Sequence, residues 1–292
     1  MDCSTTHTPI IPAPVEHARN RQPKRGDEGQ GTPDGGPGPI ATKSQRLSLR
    51  QALSVNRERL VWGRRTASWD REGAQGLTSI VQAVLDRCRT SPDTVAIDLG
   101  CGSGQVTLPL APRCAQVLAI DVNGPAIAML DRKAHTAEVE NIQTMTQPIQ
   151  GLELASGSLD LVVTNYALHH LSNGDKRDVL AQAYDWLRPG GQLVIGDMML
   201  GRGTASGDRE IIVAKVRTMV VRGPAGWWRI VKNLWRFALR VKEKPVPIPA
   251  WEAMVSAAGF ERVQTTRIVQ EGCVLSADKP TRAESPPSPA SG

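Results

Sequence analysis

The sequence predicts an α/β fold built on a doubly wound, mostly parallel β-sheet of seven strands. Apolar runs alternate with helical segments, which indicates parallel strands with helices on both faces. Two further strand segments, 261–270 and 272–277, are joined by a short turn. The run 95–108 joins a buried strand, a glycine loop and a helix start, an arrangement suited to a nucleotide. The five alternating strands lie near Thr94, Gln116, Ile142, Leu159 and Gln192.

The glycine loop indicates which nucleotides to exclude. Its glycines, Gly100, Gly102 and Gly104, follow the pattern G-x-G-x-G. A dinucleotide fingerprint would read G-x-G-x-x-G, and a phosphate-binding P-loop would place Lys and Ser or Thr after the last glycine. Here Asp98 precedes the loop and Gln105 follows it, so no lysine is available for a β-phosphate.

The segment from Asp98 to Gly104 resembles the first motif of the class I S-adenosylmethionine-dependent methyltransferases. The resemblance implies a Rossmann-like sheet that ends in an antiparallel hairpin, with S-adenosylmethionine as cofactor. In that family the loop, which here includes Cys101, passes under the ligand, and the acid helps to hold the methionine amino group. S-adenosylmethionine carries a cationic amine and no phosphate, which explains why a carboxylate stands where a P-loop has lysine. Cys101 suits the turn as a small residue, since no base for a nucleophile is evident beside it.

A second acid follows the next apolar run. Asp121 lies about 20 residues after the glycine loop, where a doubly wound fold places a carboxylate that binds ribose hydroxyls. We therefore predict that Asp121, with the adjacent Val122, binds the cofactor. The alternative for Asp121 is a helix N-cap before Pro125, a role for which Asn123 is better placed.

Two later blocks strengthen the resemblance. Residues 159–171 are similar to the family's fourth strand and the loop that closes over the transferred methyl group. The resemblance places Asn165 with the cofactor and Tyr166 against the pocket, and it makes His169 or His170 the general base if one is used. The alternative is that these histidines have no catalytic role and only form the structural end of the loop. Residues 188–196 resemble the turn into the fifth strand, where Pro189 and two glycines stop the helix 176–187.

One block departs from the family pattern. The family often carries an acid after the third strand that accepts a hydrogen bond from the adenine amino group. Residues 145–150 offer Gln147 or Gln150 instead, and a backbone carbonyl can serve the same purpose. The group that contacts adenine is left open, with Gln147 included in the predicted cofactor site.

Composition predicts the domain limits. Residues 1–45 and 278–292 are rich in Pro, Gly and polar residues and are expected to be disordered, which leaves 46–277 as the methyltransferase domain. The five cysteines are scattered and odd in number, which argues for reduced thiols and against a metal site. Since no apolar run approaches the ~20 residues needed to span a bilayer and no secretory leader is evident, we expect a cytoplasmic protein.

The predicted insertion 200–247 concentrates the positive charge. Residues 201–244 contain eleven Lys or Arg and three Asp or Glu, while the rest of the chain sums to −2. Residues 227–241 are amphipathic, with two tryptophans on the apolar face. The segment 227–244 is predicted to contact an anionic membrane surface, to cover the pocket as a lid, or to do both. Upstream, Trp62, Trp69 and Asp70 either border the pocket or pack the helix layer. Basic residues of the polar face are Arg229, Lys232, Arg236 and Arg240.

These features predict methyl transfer from S-adenosylmethionine to an oxygen, nitrogen or carbon of a small, lipophilic acceptor. The pattern is similar to that of quinone-biosynthesis C-methyltransferases and bacterial phospholipid N-methyltransferases, although the Arg-Asn pair of the former is missing at 168–170. An inactive cofactor-binding adaptor at a membrane or protein partner is the alternative. A nucleic-acid methyltransferase is disfavoured because the charge is confined to one element and Asn165-Tyr166 lacks the prolines of Asn-Pro-Pro-Tyr.

Overall fold

The computed structural model describes residues 38–44, 47–48, 51–52, 55–56, 74–200, 244–269 and 272–281. All of them belong to one unit, Gly36–Gly292. The segment from Trp62 to Asp70, most of both predicted tails and nearly all of the predicted insertion lie outside the described residues. Within the part of the chain that is described, no helix combines the length and apolar character needed to cross a bilayer.

The centre of the fold is a seven-stranded sheet in the spatial order β4-β3-β2-β6-β7-β9-β8. The first five strands are parallel, whereas β9 runs antiparallel to both β7 and β8. This arrangement confirms the predicted doubly wound sheet and its antiparallel C-terminal hairpin. The strands are β2 Val95–Leu99, β3 Gln116–Asp121, β4 Ile142–Thr146, β6 Leu159–Asn165, β7 Leu187–Met198, β8 Glu261–Arg267 and β9 Gly272–Asp278.

Helices cover both faces of the sheet, as alternation along the chain predicts. A Ser172–Asp175 capping box begins the helix that precedes β7. In the other long helix between parallel strands, Asn123 is the N-cap residue, so Asp121 is not the cap. The helices are α1 Ala74–Arg87, α2 Thr107–Leu110, α3 Gly124–Thr136, α4 Asn173–Trp186 and α5 Ile248–Ala257.

The pleat of each strand divides its side chains between two apolar layers. On β2, Ile97 and Leu99 join the larger layer, where α4 and α5 contribute Leu180 and Trp251. Ala96, on the opposite face, packs in the layer to which α1 contributes buried residues. Because both faces are buried, the central strands read as continuous apolar runs rather than alternating ones. The sheet is thereby packed on both faces, and its strand ends position the loops that follow them.

Backbone pairing extends past the predicted domain limits at both ends. β1, Thr42–Ser44, pairs antiparallel with β5, Leu152–Leu154, although the sequence assigned it to the disordered tail. At the other end Asp278 completes β9, and the amide of Lys279 donates to the carbonyl of Gly191. Composition did not reveal either segment because both are held by backbone hydrogen bonds, which are independent of side-chain type.

The predicted turn before the fifth parallel strand is a bulge within β7. α4 ends at Trp186, and β7 begins at once with Leu187 opposite Leu159. Pairing then resumes with Gln192 opposite Leu161, so the intervening Arg188–Gly191 segment loops out of the ladder. The helix therefore ends before Pro189, in agreement with a stop signal at that proline.

Candidate functional site

A pocket of about 170 Å³ lies at the carboxyl ends of β2, β3 and β6. From β2 the chain proceeds to β3 and β4 on one side of the sheet, while β6 and β7 continue on the other side. β2 and β6 therefore flank the point where strand order reverses, which is where doubly wound sheets bind their ligands. The glycine loop after β2 forms one wall of this pocket.

The glycine loop is held between the segment after β6 and helix α3. Gly100 has a φ of +78°, and a Cβ at this position would overlap with the Cβ of Ala167. Gly104 has a φ of +88°, and a Cβ there would overlap with Leu130 of α3. Both positions need glycine for conformation and for space. Gly104 itself lies behind the pocket lining, so its role is to bring α3 against the loop.

Asp98 offers the pocket an unsatisfied carboxylate oxygen. Its side chain is 1% exposed, and its Oδ2 accepts a hydrogen bond of 2.6 Å from the Thr107 hydroxyl. Its Oδ1 is buried and has no partner in the described part of the chain. Burial is the main cause that raises the pKa of Asp98 from 3.8 to about 7, and the Asp121 charge adds to it. A cationic ligand group would satisfy this oxygen and favour the ionised carboxylate.

Asp121 lies beside Asp98 in the same pocket and organises the loops around it. Its Oδ2 accepts from the Gly102 amide and its Oδ1 from the Asn123 amide, each at 2.8 Å. Burial raises the pKa of Asp121, and the backbone hydrogen bonds partly oppose that rise. Because each carboxylate oxygen has two lone pairs, both can also accept from hydroxyl groups of a ligand.

Cys101 lines the pocket as a neutral thiol. Burial, with the nearby Asp98 and Asp121 carboxylates, raises the pKa of Cys101 well above 9.0. Since the nucleophilic form of cysteine is the thiolate, this environment disfavours covalent chemistry. The side chain is a small buried residue in a tight loop, in line with the sequence interpretation.

The two glutamines considered for the adenine contact differ in position. The amide of Gln147 donates to the carbonyl of Gly151 at 3.0 Å, and Gln147 is not among the residues that line the pocket. Gln150 does line it, together with Val122 and Ile149. The structure thus places Gln150, which the sequence kept as an alternative, in the lining of the pocket and Gln147 outside it.

The segment after β6 forms the opposite end of the pocket, through Asn165, Tyr166, Ala167, His170 and Leu171. The Oδ1 of Asn165 is buried without a partner among the described residues. Tyr166 adopts a φ of +50°, which is strained for an aromatic residue, and its amide donates to the carbonyl of Gly196. Of the two candidate histidines, His170 lines the pocket and His169 is buried behind it.

The comparison with known families identifies the domain that carries this pocket. Residues 96–191 match the family model described as a methyltransferase domain. Residues 96–191 carry a methyltransferase domain, which supports the resemblance to class I S-adenosylmethionine-dependent methyltransferases.

Relatives of the methyltransferase domain act on different molecules. The chain is 31% identical over 171 residues to an arsenite methyltransferase of Aquipseudomonas alcaligenes, a match covering 55% of this chain and 46% of that protein. It is 38% identical over 104 residues to a trans-aconitate 2-methyltransferase of Deinococcus radiodurans, covering 36% and 38%. The chain thus spans about half, or less, of the length of these curated relatives.

The fold of the methyltransferase domain also resembles solved structures of low sequence identity. One is the [4+2]-cyclase SpnF, with a TM-score of 0.52 and 14% identity, covering 70% of this chain and 82% of that one. This likeness concerns the fold alone, and a cyclase with the same fold shows that the fold does not decide the reaction. The functional argument therefore rests on the residues of the pocket.

Sequence reasoning missed one buried acid of the methyltransferase domain. Asp197, near the end of β7, bonds to the His169 ring and is fully buried. The signal was available, because Asp197 follows an apolar run as Asp98 and Asp121 do. Val55 also lines the pocket, and nothing in its sequence context indicated that role. Among the described residues, no group of three potential ligands could hold a metal ion.

Proposed function

We propose that the methyltransferase domain binds S-adenosylmethionine and transfers its methyl group to a small organic acceptor. One observation carries the proposal: two carboxylates, the buried Asp98 and the partly buried Asp121, lie at the carboxyl ends of adjacent parallel strands and line one pocket. None of the described lining residues is Lys or Arg. The pocket therefore suits a nucleoside with a cationic group and disfavours a polyphosphate.

The two carboxylates have different parts in this proposal. The free Oδ1 of Asp98 accepts from the ammonium group of the methionine moiety, because that oxygen has no other described partner. Asp121 accepts from the ribose hydroxyls while it holds Gly102 and Asn123 in place. Gln150 and Ile149 then border the adenine, with Gln150 as a neutral hydrogen-bonding group.

The chemistry needs orientation more than a reactive side chain. When bound, S-adenosylmethionine supplies a methyl group that its sulfonium centre has already activated. The residues from Asn165 to Leu171 hold the acceptor in line with that group and exclude water. The apolar side chains at this end, Ala167 and Leu171 with Val55, favour a lipophilic acceptor.

The named relatives do not define the acceptor. Arsenite is a soft centre that binds thiolates. Cys101 is the one thiol among the described residues that line the pocket, and its surroundings keep it protonated, which disfavours arsenite as the acceptor. We therefore propose an organic acceptor methylated at oxygen, nitrogen or carbon. Comparing metabolites and lipids from a strain with and without the gene identifies it as a compound heavier by one CH₂ group.

The other interpretations of the sequence remain less supported proposals. An inactive cofactor-binding adaptor would use the unsatisfied carboxylate of Asp98 in the same way, so methyl transfer, and not cofactor binding, distinguishes it from an enzyme. Contact with an anionic membrane depends on residues 227–244, which lie outside the described residues, so it stays a prediction. The same holds for nucleic acid as a partner.

Calorimetry with purified protein tests cofactor binding. We expect S-adenosylmethionine to bind, and NAD, which carries a pyrophosphate, to give no heat. Asp121→Ala should weaken S-adenosylmethionine binding by about 100-fold, the loss of two hydrogen bonds to a charged group, in a protein that still folds. No heat from the wild-type protein at millimolar S-adenosylmethionine contradicts the proposal, and unchanged affinity in the variant excludes the ribose role.

A further inference from the structure

We propose that Asp197 and His169 are positioning residues that keep the His170 imidazole neutral and oriented as the proton acceptor of the pocket. The inference rests on the proposed function and extends it to the fate of the acceptor's proton. It assigns separate parts to the two adjacent histidines, which the sequence treated as equivalent candidates. It also gives a role to Asp197, an acid buried on another element.

The first step in the argument is the pairing of Asp197 with His169. Asp197 lies on β7 and is 0% exposed, while His169 lies in the helical turn Leu168–His170 after β6. One carboxylate oxygen, Oδ2, accepts from the His169 backbone amide at 2.9 Å. The other, Oδ1, lies 2.5 Å from His169 Nδ1 and accepts from the Met198 amide at 2.7 Å. Two backbone donors and one ring donor therefore converge on a single buried carboxylate.

This pairing determines how His169 is protonated. A buried carboxylate at hydrogen-bond distance accepts the Nδ1 proton, so His169 is held in the Nδ1–H tautomer with its ring orientation fixed. The backbone of His169 is held as well, because its carbonyl accepts from the Lys244 amide at 2.7 Å. His169 is only 6% exposed and is not among the residues that line the pocket.

The next step connects His169 to His170. The two rings are in contact, with centroids 4.0 Å apart and planes inclined by 45°, and His170 lines the pocket. A charge on His170 is disfavoured by its surroundings. The Asp197 oxygens are engaged by His169 and Met198. Buried Lys176 places its ammonium on the carbonyl of Leu171, the residue after His170, where its positive charge disfavours a second one. A neutral imidazole can take up a proton.

The complete step is balanced by groups already named. The acceptor atom X forms a bond to the methyl carbon as the carbon–sulfur bond breaks, and S-adenosylhomocysteine leaves as a neutral thioether. The proton of X–H moves to the unprotonated ring nitrogen of His170. The positive charge of the sulfonium is thus replaced by that of an imidazolium, which later releases its proton to water.

Nitrogen-15 NMR of the histidine rings tests the proposal in the wild-type protein with S-adenosylhomocysteine as the probe. We expect His169 in the Nδ1–H tautomer and His170 neutral at pH 7, with signals assigned through His169→Gln and His170→Gln. A His169 ring in the Nε2–H tautomer, or a His170 ring charged at pH 7, overturns the proposal. This measurement does not depend on any variant of Asp197.

Asp197→Asn then separates positioning from support of the fold. The single amide oxygen can still accept from the His169 backbone amide, which turns the NH2 group, a donor only, towards Nδ1. His169 should therefore change tautomer, and the titration of His170 should move. Asp175→Asn is the matched control, since it removes an acid from the nearby capping box without touching either ring. If the titration of His170 does not move in Asp197→Asn, Asp197 only supports the backbone of the turn, and the proposal is contradicted.

Calorimetry on the same samples keeps this test distinct from the proposed function. We expect Asp197→Asn to bind S-adenosylmethionine within about twofold of wild type. With the acceptor in hand, its kcat should fall by about 100-fold with little change in KM, the usual contribution of a positioned base. If the wild-type protein binds no S-adenosylmethionine, the proposed function fails even though the histidine tautomers still report on the pairing.

Discussion

The two ends of the pocket, the proposed cofactor end and the proposed acceptor end, are built differently. At the cofactor end, Asp98 and the glycine loop lie within seven consecutive residues, and Asp121 follows on the adjacent strand. At the acceptor end, His170 lies against His169, which is held by Asp197 from β7 and by the backbone of Lys244. The cofactor end is a local arrangement with one long-range partner, whereas the acceptor end joins three segments that are distant along the chain.

This difference has a physical basis. A strand followed by a tight loop and a helix places its acid and its amides by local backbone geometry, so a short motif is enough to specify the site. The acceptor end depends on which strand lies beside β6 and on where the insertion returns. We therefore expect short motifs to specify the cofactor end and tertiary contacts to specify the acceptor end. The predictions below test that division.

The largest effect is expected from Asp98→Asn at the cofactor end. The folded, ligand-free protein holds a proton on Asp98 up to about pH 7, whereas the unfolded chain releases it near pH 3.8. The stabilising contribution is therefore fully present below pH 3.8 and is lost as the pH rises through 7. Asn carries no such charge, so the variant should be more stable than wild type at pH 8, by as much as about 4 kcal/mol.

Urea denaturation at pH 8 and pH 4.5 measures this gain, which should be much smaller at the lower pH. The same variant should lose at least about 100-fold in affinity for S-adenosylmethionine, because the ammonium loses its charged partner. Equal stability of variant and wild type at pH 8 would show that Asp98 carries no burial cost. Unchanged affinity would remove Asp98 from the cofactor site.

The next effect concerns the contact between the two ends of the pocket. Gly100→Ala should destabilise the fold by about 3 kcal/mol, because it combines a positive φ with an overlap against Ala167. Gly157→Ala is the matched control, since Gly157 has a φ of +65° but its nearest neighbour, the Cα of Arg188, is 4.0 Å away. The control should cost about 1 kcal/mol in urea denaturation.

The difference between the two variants isolates the steric contact between the glycine loop and the segment after β6. If the two losses are equal, that contact is not tight and the two ends of the pocket move independently. We also expect Gly100→Ala to weaken S-adenosylmethionine binding, and Gly157→Ala to leave it unchanged.

The smallest effect is expected at the adenine side. Gln150→Ala should weaken S-adenosylmethionine binding about threefold, the loss of one neutral hydrogen bond. Gln147→Ala should leave affinity unchanged and lower stability by about 1 kcal/mol, because its amide bonds to the carbonyl of Gly151. Calorimetry and urea denaturation of both variants decide between the two glutamines, and the reverse pattern would return the adenine contact to Gln147.

Much of the fold was predictable because it follows from local patterns. The alternation of apolar runs with helical segments predicted the parallel sheet, and its seven strands were found as expected. Composition did not predict two features of the fold. Strand β1 is held by backbone pairing, and the bulge at Arg188–Gly191 depends on the geometry of the strand ladder. Side-chain type carries little information about such contacts.

The sequence by itself determined where Asp98, the three glycines and Asp121 stand relative to the strands, since that follows from their spacing along the chain. Only the tertiary structure decided the acceptor end. It showed that Gln150 rather than Gln147 lines the pocket, and that His169 turns away towards Asp197 while His170 faces inward. The physical reason is that a side chain's direction and its partners depend on which strands become neighbours, and no local spacing along the chain records that choice.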